Sequence, residues 1–450
     1  MSKDNGLKSQ AERSDRLLPP APVLEIAGAL RRAGYESWCV GGAVRDALLG
    51  HTNLDWDLAT SATPQQVQRL FRRTVPVGID FGTVGVLDDA GIMHEVTTFR
   101  RDVRTDGRHA EVEFGASLEE DLARRDFTIN AIAYDPEAKE LRDPFGGRDD
   151  LARRLVRAVG DPQARMREDR LRALRAMRFA ARFEFAIEPD TWRAICDSAA
   201  HLGRLSMERV QQEIEKTMAQ VDRPGGAFRM WRDSGALAVL APALTSPSEV
   251  ALATLDRLPR ARFAAQADRT MNRLTALLLD TDPGVARATL RELRFSNDRA
   301  RWIGDIVERW HALGGELRHA MAGGAAPADT VVRRWVAAMG RTRLDAVLRL
   351  ADARFRAERE RGGDPKGNVS DASMRSLYRR AARIALRDPV ETSDLAVDGE
   401  DLLKAGIPAG PRVGTTLRTL LDWVLEEPAR NTPDRLLARA REIGADSTTS

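Results

Sequence analysis

The stretch from Val40 to Thr60, VGGAVRDALLGHTNLDWDLAT, restricts the possible folds more than any other part of the sequence. The residues over Glu36–Val40 suit a buried strand, and a double glycine then leads into a short helix predicted over Ala43–Leu49. A second strand follows, and it carries Asp55 and Asp57. Strand, helix and strand in such close succession predict a compact α+β unit rather than an all-helical or all-β one.

The two aspartates of this stretch favour a metal site. Because successive side chains of a strand point to opposite faces, Asp55 and Asp57 should face one way and Trp56 the other. Carboxylate oxygens are the ligands that Mg²⁺ prefers, and bound Mg²⁺ also contacts substrate phosphates. Gly41 and Gly42 offer bare backbone N–H groups and a positive helix end to phosphate. The stretch therefore predicts a site for Mg²⁺ and phosphate.

A third carboxylate, Glu95, is a candidate for the same site. It lies in a strand predicted over Ile92–Phe99, which we expect beside the strand that carries Asp55 and Asp57. An isolated Glu is usually a solvated edge-strand residue, so that interpretation stays open. We favour the metal site because the carboxylate pair and the sheet are already predicted.

Length and composition indicate several domains and much helix. The chain has 450 residues, of which 30% are charged and only 5% aromatic, and beyond Leu151 the apolar periodicity is almost entirely helical. We expect an elongated multidomain protein in which a small mixed β-sheet with flanking helices precedes an all-α remainder. The predicted parts are a disordered leader (1–20), an α+β head (21–150), a helical neck (151–220), a helical body (221–360) and a helical tail (361–450).

Nothing in the sequence suits insertion into a membrane. No apolar run approaches the ~20 residues that a membrane span requires, and the amino terminus lacks the apolar core of a signal peptide. Cys39 and Cys196 lie far apart in the sequence, so we expect free thiols in a reducing compartment. These features predict a cytoplasmic protein without membrane attachment, and none of them indicates an obligate protein partner.

A helix predicted over Arg167–Phe183 carries a charged stripe, in which Asp169, Arg172, Arg175 and Arg178 recur at every third residue. Such a stripe is usually just a solvated helix surface. Alternatively, the planar donor fork of arginine can bind a phosphate or a base edge through two hydrogen bonds. The spacing alone does not decide between the two interpretations.

Glycines also mark a turn near the carboxyl terminus, between helices predicted over Glu400–Ala405 and Val413–Leu425. Gly406, Gly410 and Gly414 would let another backbone approach the start of the second helix, which suits phosphate binding without sequence preference. A sharp helix–turn–helix corner would need such glycines equally well.

Five segments, in this order, resemble the class II tRNA nucleotidyltransferase and bacterial poly(A) polymerase family of the polymerase-β superfamily. They are GGAVRDALLG followed by DWD, FGTVGV followed by HEVTTFR, RRDFTINA, EDRLRALRAMRF and GIPAGPRVG. The resemblance extends from about Ala21 to Arg441, and five ordered segments are far more specific than a single DxD. It implies a Mg²⁺-dependent enzyme that adds the terminal CCA to the 3′ end of tRNA from CTP and ATP.

The resemblance also implies roles for individual residues. Asp169 and Arg172 would read the incoming base in place of a template, while Arg175 and Arg178 would hold phosphates or brace that pair. The implied catalytic and metal-binding residues are Asp55, Asp57 and Glu95. The implied nucleotide-binding residues are Gly42, Arg45, Arg125, Asn130, Asp169, Arg172, Arg175 and Arg178. The RNA-binding residues predicted in the tail are Gly406, Gly410, Arg412 and Gly414.

Three other functions remain open on the sequence alone: a bacterial poly(A) polymerase, an enzyme that adds only CC or only A, and an inactive RNA-binding protein on the same scaffold. The segment Thr74–Val86 lacks the histidine-containing basic stretch of the poly(A) polymerases. Arg100–Gly115, which we predict to be a mobile loop, favours the complete CCA reaction. The intact set of charged motif residues argues against an inactive protein.

Overall fold

The computed structural model describes residues 17–52, 55–105, 110–244, 246–258, 266–362 and 367–446, and every structural statement below refers to these residues. The chain divides into two compact units. The first extends to Val221 and also includes Gly226–Pro242, and the second includes Asp222–Gly225 and the chain from Ala243 onward. The finer division into leader, head, neck, body and tail stays a prediction.

The first unit combines eleven short strands with helices. Its helices are α1 (Ala21–Arg32), α2 (Gly42–Leu48), α3 (Pro64–Leu70), α4 (Leu118–Ala123), α5 (Gly147–Arg153), α6 (Pro162–Glu168), α7 (Leu171–Phe183), α8 (Pro189–Ala199), α9 (Met207–Gln220), α10 (Gly225–Asp233) and α11 (Ala236–Leu240). Its strands are β1 (Ser37–Val40), β2 (Asp57–Thr60), β3 (Thr74–Gly78), β4 (Thr83–Leu87), β5 (Met93–Thr98), β6 (Arg100–Thr105), β7 (Ala110–Phe114), β8 (Ala133–Asp135), β9 (Glu140–Arg142), β10 (Leu155–Val156) and β11 (Ala186–Ile187).

The second unit is described by helices alone: α12 (Glu249–Arg257), α13 (Gln266–Leu278), α14 (Pro283–Glu292), α15 (Asn297–Met321), α16 (Asp329–Met339), α17 (Arg341–Glu360), α18 (Asp371–Arg387), α19 (Gly399–Lys404), α20 (Pro411–Glu426) and α21 (Pro433–Asp446). A mixed sheet with flanking helices followed by a helical remainder is the fold class that the sequence predicts, and it is confirmed. Within the described ranges, no helix is both long enough and apolar enough to cross a membrane.

Seven strands form one mixed sheet in the order β3-β4-β5-β2-β1-β8-β9. Strands β1 and β2 are antiparallel, with Val40 opposite Asp57. Strands β2 and β5 are parallel, with Leu58 beside Val96, so the preceding residues Asp57 and Glu95 are also neighbours. The register thus places Asp57 opposite the end of β1, where the double glycine follows, and Glu95 beside Asp57 on the next strand.

Helix starts follow the expected capping chemistry. Thr63 caps α3, and its side chain accepts the N–H of Gln66. Ser117 and Glu120 form a capping box at the start of α4. These bonds satisfy backbone N–H groups that a helix start leaves open.

The structure corrects two predictions about the head. Strand β2 begins at Asp57, so Asp55 precedes the strand, although Trp56 is buried and Asp55 exposed as the alternation required. Arg100–Gly115 is not wholly a loop, since β6 and β7 pair as an antiparallel hairpin in which Arg101 donates to Glu113. Residues 106–109, which separate the two strands in the sequence, lie outside the described residues.

The neck differs from the prediction as well. The helix expected over Arg167–Phe183 is two helices, α6 and α7, because the backbone is extended at Asp169 (φ −146°, ψ 105°). Oδ1 of Asp169 accepts the N–H of Leu171 at 3.0 Å, a side-chain bond that competes with helix continuation. A short parallel pair, β10 with β11, lies within this otherwise helical region.

Two further expectations concern single residues. Leu17, within the predicted leader, is almost fully buried, whereas Leu18 beside it is exposed; residues 1–16 lie outside the described part. Both cysteines are free, as expected, with Cys39 buried and Cys196 half-buried.

Candidate functional site

The first unit contains a cavity of about 550 Å³ beside the double glycine. All eight predicted nucleotide-binding residues line it, as do Asp57 and Glu95, whereas Asp55 does not. Positive side chains outnumber negative ones on its wall, which suits an anionic ligand. The positive residues are Arg45, Arg100, Arg124, Arg125, Arg172, Arg175, Arg178, Arg182 and Lys216, and the negative ones are Asp57, Glu95, Asp126 and Asp169.

The carboxylates of Asp57 and Glu95 form the acidic part of the wall. Burial, followed by the negative charges of Glu95 and Asp55, raises the pKa of Asp57 to about 7, and the charge of Arg125 opposes this rise. Oxygen ligands that repel one another are a donor set that a divalent cation would stabilise. Among the described residues, however, no three His, Cys, Asp or Glu side chains are grouped to hold a metal ion. The three-carboxylate metal site stays a prediction.

The turn between β1 and α2 requires a glycine. Gly41 has φ +74°, a conformation that L side chains rarely adopt, and an added Cβ would lie 3.2 Å from Nη1 of Arg125. Arg125 itself is fixed, because its Nη2 donates to Asp121 at 3.0 Å and its Nη1 to the carbonyl of Asn130 at 3.4 Å. The turn and the predicted nucleotide-binding arginine are therefore in direct contact.

Arg45 occupies a more interior position than a simple phosphate contact would. Its side chain is 4% exposed, its Nε donates to Asp46 at 2.7 Å and its Nη1 to Oδ1 of Asn130 at 2.5 Å. The guanidinium lies 5.0 Å from the ring centre of Phe179 and 4.7 Å from that of Phe183. Burial lowers the pKa of Arg45, although the hydrogen bond to Asp46 opposes this. Arg45 thus connects α2 with α7.

The charged stripe of α7 is not a solvated surface. Arg172 and Arg178 are 9% and 3% exposed. Nε of Arg178 donates to Glu213 at 2.5 Å and its Nη1 to Gln220 at 3.2 Å, both on α9. Nε of Arg175 donates to Asp126 at 2.8 Å. Each arginine of the stripe is held by groups outside α7, which fixes its donors in space.

The two side chains of the predicted base-reading pair lie on the cavity wall, and in the described structure they bond to other residues rather than to each other. Oδ2 of Asp169 accepts Nη2 of Arg209 at 2.7 Å. Arg172 donates from Nη1 to Glu168 at 2.7 Å and from Nη2 to the carbonyl of Arg124 at 2.8 Å. Both side chains are therefore oriented by neighbours while they face the cavity.

Asp126 is a residue of this site that the sequence reasoning overlooked. Its carboxylate accepts bonds from Arg175, from Nδ2 of Asn130 at 2.9 Å and from the N–H of Phe127 at 2.8 Å. Burial disfavours its charge, but Arg175 and Asn130 outweigh burial and lower the pKa of Asp126 to about 2. The sequence did contain a signal for this role: Asp126 stands directly before the apolar run that begins at Phe127. A carboxylate carried into the interior with such a run needs a buried partner.

The predicted RNA-binding residues of the tail belong to the second unit. Gly406 and Gly410 have φ of +93° and +108°, so the corner before α20 needs glycine at both positions for backbone reasons alone. Gly414 lies inside α20, and an added Cβ there would have no neighbour within 4 Å. RNA contact at these residues and at Arg412 stays a prediction.

We expect Asp126→Asn to reduce the free energy of unfolding at pH 7 by about 3 kcal/mol, because it leaves Arg175 without its buried partner. The pKa of Asp126 is lower in the folded chain than the ~3.9 of an unfolded aspartate, so its contribution is complete above about pH 4 and is lost toward pH 2. Urea unfolding across this pH range should show the two proteins converging as the pH falls.

The exposed Asp89 supplies the control for this measurement, since Asp89→Asn removes a carboxylate without a described partner. Equal stability of the Asp126 and Asp89 variants at pH 7 would contradict the assigned role.

Comparison with known proteins identifies the same regions. Residues 37–157 match the family described as the poly(A) polymerase head domain, and residues 184–246 match the probable RNA and SrmB-binding site of polymerase A. The CCA-adding enzyme of Geobacillus kaustophilus is 36% identical over 425 residues, which are 93% of this chain and 96% of that protein. That of Lactobacillus johnsonii is 33% identical over 410 residues, 90% of this chain and 92% of that one.

Solved structures of CCA-adding enzymes have folds similar to that of this chain. The crystal structure of the Bacillus stearothermophilus CCA-adding enzyme in complex with CTP is similar with a TM-score of 0.72 and 32% identity, and the match covers 96% of this chain and all of that one. The Thermotoga maritima CCA-adding enzyme shares the fold at a TM-score of 0.65 and 21% identity, over 96% of this chain and 98% of that one. With relatives at least a third identical over nine tenths of its length, the chain belongs to the CCA-adding enzyme family of nucleotidyltransferases.

Proposed function

We propose that this protein adds CCA to the 3′ end of tRNA and uses CTP and ATP as substrates. The observation that carries the proposal is the single cavity wall on which Asp57 and Glu95 meet the predicted nucleotide-binding residues. The CTP complex of the relative that is 32% identical supports a nucleotide in this fold. The reaction joins the 3′ oxygen of the RNA to the α-phosphorus of the nucleotide and releases pyrophosphate.

Asp55, Asp57 and Glu95 are the proposed Mg²⁺ ligands. Bound Mg²⁺ would supply charge stabilisation for the attacking and leaving oxygens. The chain's own contribution is to hold Asp57 and Glu95 side by side on parallel strands, where their mutual repulsion favours cation binding. The exposed Asp55 can approach from the segment before β2.

The arginine-rich part of the wall would bind and orient the nucleotide. Arg125 and Arg175 keep fixed positions through Asp121 and Asp126, so donors are already in place before a nucleotide enters. Asn130 acts indirectly in this proposal, since both ends of its amide are used by Arg45 and Asp126. Gly42 and Arg45 complete the floor beneath the phosphates.

Asp169 and Arg172 are the proposed base readers. A carboxylate accepts the exocyclic amine that cytosine and adenine share, and a guanidinium donates to their ring acceptors. Arg209 and Glu168 each hold one of these two side chains, so both are oriented before a base enters. Arg178 braces the arrangement through Glu213 and Gln220.

The direct test is incubation of the purified protein with tRNA that lacks its 3′ end, with CTP, ATP or both, and sequencing of the products. We expect CC with CTP alone and CCA with both nucleotides. Long adenosine tails would instead identify a poly(A) polymerase, and products that stop at CC or contain only one added A would identify a partial enzyme.

Asp57→Ala should lower nucleotide incorporation by at least about a hundredfold, because several kcal/mol of transition-state stabilisation depend on the metal ligands. Binding of tRNA should remain close to that of the unmodified protein, since the change leaves the positive surface intact. Incorporation of labelled CTP and a filter-binding titration of tRNA measure the two effects.

Asp80→Ala is the matched control for Asp57→Ala, since Asp80 is an exposed acid of the same unit that does not line the cavity. Normal incorporation by Asp57→Ala would exclude the metal role, and absence of incorporation by the unmodified protein would indicate the inactive RNA-binding alternative.

Arg172→Ala should change the ratio of kcat/KM for CTP to that for ATP by about tenfold or more, the effect of one good base contact. Arg167→Ala is the control. It removes an exposed positive charge close to Arg172 in the sequence that does not line the cavity, and it should leave the ratio unchanged. Single-turnover addition with each nucleotide gives the ratio, and an unaltered value in the folded Arg172 variant would rule it out as a base reader.

A further inference from the structure

The positive residues on the cavity wall differ in how their charges are compensated. Seven arginines form ion pairs with aspartate or glutamate side chains of the first unit, and Arg100 donates to the carbonyl of Phe81. The seven pairs are Arg45–Asp46, Arg124–Asp121, Arg125–Asp121, Arg172–Glu168, Arg175–Asp126, Arg178–Glu213 and Arg182–Asp46. Lys216 is exposed and has no ion pair or hydrogen bond within the described part of the chain.

The backbone of Lys216 is held firmly despite the exposed side chain. Lys216 lies on α9, three residues after Glu213 and four before Gln220, so the three share one helix face. Glu213 and Gln220 both accept bonds from Arg178 on α7. The stem of Lys216 therefore starts between the two groups that anchor Arg178, and its ammonium group can move within reach of the cavity.

Among the nine positive residues of the wall, Lys216 is the one with neither an ion pair nor a hydrogen bond to a described group. Its ammonium group is therefore available to an anion that enters the cavity. A lysine suits phosphate in particular, because its flexible stem carries a compact charge with three rotatable donors that can follow a moving group. The paired arginines beside it have a fixed geometry and suit recognition of a stationary base or sugar instead.

We propose that Lys216 binds a phosphate group of the reacting substrates, either in the triphosphate of the incoming nucleotide or in the phosphodiester backbone at the 3′ end of the RNA. The inference deepens the proposed function and rests on it. It adds to the site a residue of α9 that lies outside the predicted nucleotide-binding set.

Equilibrium binding of CTP and of cytidine to the full-length protein tests whether the phosphate bound by Lys216 belongs to the incoming nucleotide. If the triphosphate is the ligand, Lys216→Ala should weaken CTP binding by about tenfold, the usual effect of a lost bond to a charged group, without changing cytidine binding. Lys216→Arg should restore most of the affinity. The exposed Arg153→Ala, which removes a positive charge away from the cavity wall, should leave CTP binding unaltered.

Titration of tRNA at several salt concentrations tests whether the phosphate bound by Lys216 belongs to the RNA backbone. If the phosphodiester is the ligand, Lys216→Ala should reduce the slope of log affinity against log salt by about 0.7, the value for one phosphate contact to a single strand. The inference is wrong if Lys216→Ala changes neither the affinity for CTP nor the salt slope of tRNA binding. It is also wrong if the variant loses equal affinity for CTP and for cytidine. Both measurements are independent of catalysis, so they remain decisive if the product-sequencing experiment excludes CCA addition.

Discussion

The ion pair between Arg175 and Asp126 determines the geometry of the whole site, because it joins α7 to the turn that follows α4. From it a continuous series of bonds returns to α7. The carboxylate of Asp126 accepts a hydrogen bond from Nδ2 of Asn130, and Oδ1 of Asn130 accepts one from Arg45. The carboxylate of Asp46 accepts hydrogen bonds from Arg45 and from Arg182 on α7. Phe179 and Phe183 cover the guanidinium of Arg45. Such a closed series satisfies every buried charge in it, and it specifies one arrangement more than it adds net stability.

This arrangement explains how the cavity can be both strongly positive and well ordered. The paired arginines lose little freedom when a ligand binds, because their orientations are already determined by protein carboxylates. Asp57 and Glu95 differ from the paired arginines because their charges have the same sign and lie side by side. Burial and the charge of Glu95 both raise the pKa of Asp57. A site with fixed cations on one wall and repelling carboxylates on another suits a substrate that carries phosphates together with a divalent cation.

Local sequence signals were sufficient for much of the fold. Thr63 and Ser117, residue types that favour the N-cap position, cap α3 and α4, and the strand of Glu95 lies beside that of Asp57 as the sequence predicts. The errors arose where a side chain or a partner strand overrides local preference. Asp169 interrupts a helical pattern by bonding to the backbone, and β6 pairs with β7 although both are polar. Periodicity cannot reveal either effect, because both depend on a specific partner.

The sequence by itself determined the family and predicted which residues form the site, because ordered motifs specify which residue types occur at which spacing. It also determined that a mixed sheet with paired acidic residues precedes a helical remainder. Only the tertiary structure decided that the arginines of α7 are paired and two of them buried, that Arg45 connects two helices, and that Lys216 keeps an uncompensated charge. The reason is physical: whether a charged side chain is solvated, paired or available to a ligand depends on partners from distant segments, and only folding brings those segments together.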